Sequence, residues 1–484
     1  MDAVAPLLRP RSVVDPSTPM APRCSPAEKE PGAHHAIDRP RRCLPLGWIR
    51  DGGIKFCSTK TQNQPSTMAL SPDQIPLIKA TVPVLQEHGL TITKVFYDNL
   101  LTAHPELKTV FNVSNKVHGH QPLALAGALF AYASHIDNLG VLSPAVERIC
   151  HKHASLAIQP EGYQIVGKFL LEAMGQVLGD ALTPPLLDAW ATAYWQLANL
   201  MINKEAELYK AANGWTDFRD FRIARKEPES DVITSFYLEP VDGQPLPSFL
   251  PGQYVSIQVP VPQLDHAQCR QYSLSDQPQP SYYRISVRKD PGLNAADPSA
   301  PAHPGYVSNL LHDQLSVGDL VKLSHPYGDF HLTNPTAAHP LVLISAGVGL
   351  TPLTSMVNAL TAAASDTNTR PIHFIHGAHS SSSRAFQAHL QSLTTSVPNL
   401  RTTYFLTVPG GSDQEGVNYN HAGRVNLAKL DGTKDLFLDN AETEYYVCGP
   451  TAFMVDIQKA LVARGVDAAR VHMELFGTGG VPAA

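Results

Sequence analysis

The chain reads as three domains of different class in series: an all-α domain, an antiparallel β-barrel and an α/β doubly wound domain. Three observations predict this. Residues 71–212 carry apolar periods of three and four with no strand-like run between them. Residues 218–324 carry short strand-like runs separated by Pro, Gly and Asp turns. From Pro340 onward, strand-like and helix-like segments alternate. The 484 residues accommodate about three domains at roughly 150 residues each. The predicted boundaries are 1–67 for an extension, 68–213 for the helical domain, 214–335 for the barrel and 336–484 for the α/β domain.

Composition narrows the function classes. With 37 Lys+Arg against 43 Asp+Glu there is no basic field for nucleic acid or an anionic membrane. Small-molecule substrates fit better, and a monomer is expected. The six cysteines, at 24, 43, 57, 150, 269 and 448, form no C-x-x-C pair and no dense framework, which predicts a reducing compartment. The longest apolar run, residues 341–352, is broken by glycines and falls short of the eighteen or so residues of a spanning helix. Residues 1–67 are rich in Pro and Arg without periodicity, the signature of a disordered extension. The cytoplasm is the expected location. A mitochondrial transit peptide is the alternative, although Asp2, Asp15, Glu28 and Glu30 are unusual for one.

Ser71-Pro72-Asp73-Gln74 predicts a helix start, with a hydroxyl cap, proline in the first turn and a reciprocal amide. Further helices are predicted over 123–136, 145–158, 163–178 and 185–209. On the second of these, Val146, Ile149, Cys150, His153 and Ala157 share the apolar stripe, while His151 falls opposite. A histidine there is either a hydrogen-bonded core residue or a ligand. Glu205, near the end of the last helix, reads on its own as a solvated carboxylate.

Strands are predicted over 218–224, 232–239, 254–259, 282–289 and 320–324. Turns are predicted at Pro240-Val241-Asp242-Gly243 and Asp290-Pro291-Gly292. Within this region stands Arg270-Gln271-Tyr272-Ser273-Leu274. It supplies a cation, an aromatic face and a hydroxyl in one extended segment, the groups that hold a flavin's phosphate, ring and ring edge. An ordinary strand is the competing reading. Pro251-Gly252-Gln253-Tyr254 lies nearby. Gly305-Tyr306-Val307-Ser308 opens a helix whose amides suit a phosphate or simply a capped start.

The last region predicts strands at 341–345, 372–376, 445–448 and 471–476, with helices at 351–364, 384–393 and 451–464. Gly347-Val348-Gly349-Leu350-Thr351-Pro352 joins a strand to a helix, the context a nucleotide loop requires, although glycines serve tight turns everywhere. Cys448-Gly449-Pro450 ends a second strand at the same carboxyl edge, where ligands bind. Residues 380–383 are all serine and precede Arg384. They suit a nucleotide 2′-phosphate or a plain polar loop.

The helical region resembles the globin domain of flavohaemoglobins. The residues that carry the resemblance are Phe96-Tyr97-Asp98, Phe111-Asn112, Gln121 with Leu125, Lys152-His153 and Ile202-Asn203-Lys204-Glu205-Ala206-Glu207. It implies that His153 is the proximal haem ligand, with Glu205 and Tyr163 behind it. Phe111 would pack on the haem, and Tyr97 and Gln121 would be the distal hydrogen-bonding pair, with Leu125 shaping their pocket. The remainder resembles the ferredoxin-NADP reductase family through residues 270–274, 305–308, 347–352, Cys448-Gly449-Pro450 and Glu474-Leu475-Phe476-Gly477. That implies Arg270 on the flavin phosphate, Tyr272 and Ser273 at the ring, Phe476 over the flavin face where nicotinamide docks, and Glu474 near the flavin edge, between flavin and haem. The family's usual proline after Phe-Gly is replaced by Thr478-Gly479-Gly480. Together these resemblances imply a nitric oxide dioxygenase that makes nitrate from nitric oxide and oxygen, using haem b, FAD and NADH or NADPH. An oxygen-binding or redox-sensing globin with an attached haem reductase is the alternative. Reduction of other acceptors, such as lipid hydroperoxides, is expected only as a side activity.

Overall fold

The computed structural model describes residues 69–111, 120–290, 305–362 and 370–477. The predicted extension 1–67, Asn112, the turn at Pro291-Gly292 and the tail Thr478-Gly479-Gly480 lie outside the described residues.

The helical part comprises α1 (Gln74–Ala80), α2 (Val82–Ala103), α3 (His120–Ser134), α4 (Ser143–Ser155), α5 (Pro160–Leu178) and α6 (Pro184–Ala211). Pro83 explains the break between α1 and α2, because it removes a backbone donor and crowds the carbonyl four residues back; the Thr81 hydroxyl then donates to Ile78 O (2.6 Å). The predicted start at Ser71 is half realised. Gln74 Oε1 accepts from Ser71 N (3.0 Å), but the helix begins at Gln74 after Asp73, with no side-chain cap. α2 packs on α3 and α5, and α4 on α6, around a core that includes Phe96, Tyr132, Phe169 and Trp190.

The middle part is a six-stranded antiparallel sheet of β1 (Arg219–Pro228), β2 (Ile233–Pro240), β3 (Tyr254–Val261), β4 (His266–Ser273), β5 (Tyr283–Arg288) and β6 (Leu320–Leu323). Its order is β4-β3-β6-β1-β2-β5. A single bridge, Leu274 to Ile285, links the segment after β4 to the far edge strand β5. The flavin motif is β4 and its exit. A short helix α7 (Tyr306–Asn309) precedes β6.

The last part is a parallel sheet of order β10-β9-β8-β7-β11-β12. Its elements are β7 (Leu341–Ala346), α8 (Leu350–Ala362), β8 (Ile372–Ala378), α9 (Gln387–Ser396), β9 (Leu400–Leu406), β10 (His421–Ala422), β11 (Glu444–Cys448), α10 (Thr451–Val462) and β12 (Val471–Glu474). Along β7, Leu341 and Leu343 enter one core with α8 and α9, while Val342 and Ile344 enter another with α10. Both faces are therefore covered, as a parallel sheet requires. The chain runs outward from β7 through β8, β9 and β10, then returns to β11 on the other side of β7. This sets the topological switch, where ligands bind, between the carboxyl ends of β7 and β11. β9 and β10 lie outside the sequence prediction.

Candidate functional site

His153 stands near the end of α4 with its Nδ1 2.9 Å from the Tyr163 hydroxyl and 2.9 Å from Glu205 Oε1. The Tyr163 hydroxyl donates to the same carboxylate oxygen (2.6 Å). Glu205 is only 3 % exposed, which corrects the solvated reading of it alone. Ala198, Met201 and Glu205 recur at three and four residues on the buried side of α6, so the carboxylate belongs to the helix's apolar stripe. A buried carboxylate is tolerable when donors satisfy it, and here two donors converge. This arrangement fixes the imidazole's orientation and makes the ring a stronger donor through its other nitrogen, as in ligand histidines. Burial pushes the Tyr163 hydroxyl upward, aided by the neighbouring Glu205 charge, so it remains a proton donor. The His153 side chain stays one-third exposed, at 33 %.

His151, expected to point away from the packed stripe, is also buried. Its Nδ1 accepts from Gly328 N (3.1 Å), its Nε2 lies 3.3 Å from Glu147, and its ring faces Tyr327. The reason is that α4 has two packed faces, one on α5 and α6 and the other against the antiparallel sheet's loops. Arg148 pairs with Asp329 on that second face (3.5 Å).

Tyr97 is buried in the helical core, edge-on to Phe96 and Phe111; burial raises its hydroxyl's pKa, which keeps it a donor. Phe111 and Leu125 pack partly buried on the same core. Gln121 Oε1 is buried without a hydrogen-bond partner. Among the described residues no hydrogen bond joins Gln121 to Tyr97; Gln121 instead lines a cavity between the helical part and the sheet.

That cavity, of about 290 Å³, is lined by Gln121, Lys152, Tyr254, Arg270, Glu474 and Phe476, with Gln271 and Ser273. A second, of about 160 Å³, is lined by Gln271, Tyr272, Ser273, Ser286, Thr351 and Phe476. The motif on β4 thus contributes to both. Among the described residues Arg270 hydrogen-bonds neutral oxygens, Cys269 O (2.7 Å) and Gln268 Oε1 (3.1 Å). Among the described residues no carboxylate pairs with it, and burial lowers its pKa. A half-buried cation without a paired carboxylate among the described residues, beside a cavity, fits a phosphate. Burial also raises the Tyr272 hydroxyl's pKa, so it stays neutral.

Gly305, Val307 and Ser308 line neither cavity. The Ser308 hydroxyl donates to Gly305 O (3.0 Å) and accepts from Asp290 N (3.3 Å). A β-carbon on Gly305 would lie 2.5 Å from Asp290 Cβ, so this turn is tight for packing reasons.

At the switch point, Gly347 adopts φ +57°, and a β-carbon on Gly349 would lie 2.2 Å from Cys448 O. Two loop ends meet there backbone to backbone, which only glycine permits. Thr351 is buried and its hydroxyl donates to Val348 O (3.1 Å); Pro352 follows, buried, in α8. Gly449 and Pro450 lead into α10, with Met454 N donating to Pro450 O (3.0 Å). The fully buried Cys448 pairs in register with Glu474, and burial pushes its thiol's pKa upward. Burial also pushes Glu474 up to about 7, with Asp329 adding to the rise and Lys152 and Arg148 opposing it. The Lys152 ammonium, whose pKa burial lowers, donates to Gly477 O (2.6 Å). Phe476 is 45 % exposed and borders both cavities.

Beside this edge the serine loop closes on itself. Ser380 N donates to Ser383 Oγ (2.9 Å) and the Ser381 hydroxyl to Asp413 (2.9 Å). Arg384 is 4 % exposed, lies on the Tyr404 ring (4.2 Å) and donates to Asn418 O.

A globin family model matches residues 94–201, and an oxidoreductase NAD-binding domain model matches residues 343–459. A flavohemoprotein of Bordetella parapertussis is 46 % identical over 417 residues, spanning 85 % of this chain and 100 % of that protein. One from Rhizobium meliloti is 45 % identical over 406 residues, spanning 83 % of this chain and 96 % of the relative. Among solved structures, a flavohemoglobin from Malassezia yamatoensis with bound FAD and heme is similar at 29 % identity and a TM-score of 0.71. The match covers 84 % of this chain and 100 % of that one. A globin-type helical part followed by a reductase part, matched over nearly the whole length of these relatives, places this chain in the flavohemoprotein family.

Proposed function

We propose that the chain is a nitric oxide dioxygenase, converting nitric oxide and oxygen to nitrate with electrons from NADH or NADPH. The observation that carries this is His153, braced by Tyr163 and Glu205, in one chain with a cavity walled by Arg270, Gln271 and Ser273. When bound, FAD supplies the conversion of a hydride into single electrons, and haem b supplies the iron at which oxygen and nitric oxide react.

The chain's own groups bind and orient. His153 offers Nε2 as the iron ligand, because Nδ1 is committed to Tyr163 and Glu205. Glu205 Oε1 holds the Nδ1 proton and makes the ligand more electron-donating, an arrangement that favours oxygen activation over storage. Tyr97 offers a hydroxyl proton that burial keeps in place, and Gln121 offers an amide at the cavity wall. Such donors count for more where water is excluded. Phe111 and Leu125 supply apolar walls. Arg270 neutralises the flavin phosphate, while Tyr254, Tyr272 and Ser273 meet the ring. The Gly305 to Ser308 turn contributes through its backbone. Gly347, Gly349, Thr351 and Pro352 receive the nicotinamide coenzyme opposite Cys448, Gly449 and Pro450, and Phe476 shields the flavin face. Glu474 and Lys152 stand between the flavin and haem sides.

The same reading takes residues 68–213 as the haem domain, 214–335 as the flavin domain and 336–484 as the nucleotide domain. The bridge from Leu274 to Ile285 supports closure of the antiparallel sheet into a barrel. Nitric oxide, oxygen and NAD(P)H are the small-molecule partners of a cytoplasmic monomer that binds no nucleic acid. Among the described residues no helix is long and apolar enough to cross a membrane. Rapid single-turnover mixing of the oxygenated protein with nitric oxide tests the proposal. Prompt formation of nitrate is expected, and slow decay without nitrate would instead make the chain an oxygen-binding globin.

A further inference from the structure

The helix that carries His153 and the strand that carries the flavin motif meet through one hydroxyl. Ser155 ends α4, two residues beyond His153, and is completely buried. Its hydroxyl donates to Lys152 O (2.8 Å) and accepts from Gln271 Nε2 (2.8 Å) and from Ser256 Oγ (3.0 Å). Tyr254 on β3 also lies within hydrogen-bonding reach of this hydroxyl, so a serine's one donor and two acceptor positions are all engaged. Ser256 on β3 and Gln271 on β4 are partners in the strand register, and Ser256 is also completely buried. Two adjacent strands therefore converge on the same oxygen.

β4 has a second hold on the helical part. The buried Gln268 amide donates to Lys108 O (2.8 Å), within the turn Pro105–Thr109 that leads to Phe111. The strand bearing Arg270 is thus tied to the segments on both sides of the predicted haem pocket. Apolar contacts alone are non-directional and tolerate sliding. Buried hydrogen bonds hold donor and acceptor to a narrow range of separation and are costly to leave unmade.

We propose that Ser155 is a positioning residue for electron transfer: it fixes β4, and with it the flavin, against the helix that carries the haem ligand. The inference rests on the dioxygenase reading of the two sites. Its function is to set the distance and orientation of the flavin relative to the haem, without touching either reacting group. The residue matters to the electron's second step, from flavin to haem, and not to the first, from NAD(P)H to flavin.

Stopped-flow reduction of the haem- and FAD-loaded protein by NADH under anaerobic conditions reads both steps. Ser155→Ala strands the Gln271 amide and the Ser256 hydroxyl; Ser256→Ala removes only one bond and serves if the first variant folds poorly. Because electron transfer falls with the separation of donor and acceptor, haem reduction should slow severalfold in Ser155→Ala and less in Ser256→Ala. NADH-driven reduction of ferricyanide, which draws electrons from the flavin, should be unchanged. So should the resonance-Raman iron–histidine stretch, because Tyr163 and Glu205 still hold His153. Haem reduction at the parental rate in both variants would overturn the proposal. So would a parallel fall in ferricyanide and haem reduction with loss of flavin, the mark of a merely structural residue. Failure of the parental protein to reduce its haem with NADH would instead count against the dioxygenase reading.

Discussion

Glu205 takes donors from two different helices, Tyr163 on α5 and His153 on α4, and this convergence holds the His153 ring in place. For His153→Ala the account predicts loss of the haem Soret band with flavin absorbance retained; an unchanged Soret band would remove the ligand assignment. The nucleotide-binding part holds a buried histidine whose titration is testable. His376, buried at the carboxyl end of β8, has its pKa pushed down to about 3 by burial, with Arg384 adding to the fall, and Ser345 Oγ lies 2.9 Å from its Nδ1. Its neutral form is favoured in the fold, so the unfolded chain binds more protons between the free histidine value of about 6.5 and the folded value. The associated stability is fully present above that free value and is lost as pH falls toward about 3. Urea unfolding between roughly pH 6 and pH 5 should show an unfolding free energy that drops with acidity, by up to about 1.4 kcal/mol per pH unit from this group. In His376→Gln that part of the slope should vanish. The site was only partly legible at this scale. Glu205 alone reads as solvated; the family resemblance places it behind His153, and its step from Ala198 and Met201 along the helix is the further sign the sequence holds. The burial of His151 carries no sequence mark, because the surface that covers it comes from Tyr327 and Gly328, far along the chain.

Among the elements, those with a strong repeat were the legible ones. The helices on 143–155, 160–178 and 184–211 lie within a few residues of the predicted spans, since an apolar stripe fixes a helix well and its ends poorly. β9 went unread although Leu400–Leu406 is rich in β-formers. No long helix follows it in the described structure; the chain continues through loops and β10, which breaks the strand-helix alternation used to find its neighbours. The glycine loop shows why motif and packing are inseparable. With Cys448 O so close to Gly349, Gly349→Ala must push the β7 and β11 loops apart, a strain of about 1–3 kcal/mol. The variant should keep its haem and flavin spectra and still be reduced by dithionite, while NADH-driven flavin reduction falls at least about tenfold, as misplacement of reactants predicts. Normal NADH kinetics would show that this junction does not form the coenzyme site.

At the scale of the whole molecule, the order of the three parts was readable because each has its own period, and the family comparison agrees with that order. Their mutual arrangement was not. It rests on single contacts such as Ser155 to Gln271, Arg148 to Asp329 and Lys152 to Gly477, and none of these belongs to a repeat. Those contacts bring Lys152, Arg270, Glu474 and Phe476, from three separate regions of sequence, around one cavity. The central claim is that this assembly passes electrons from NAD(P)H to a haem that turns nitric oxide into nitrate. NAD(P)H delivers two electrons, and the haem needs one for each nitrate formed. The direct measurement is the ratio of nitrate produced to NAD(P)H consumed during steady turnover with nitric oxide and excess oxygen. The account predicts two nitrates per NAD(P)H oxidised. NAD(P)H oxidation that continues without nitrate would contradict it.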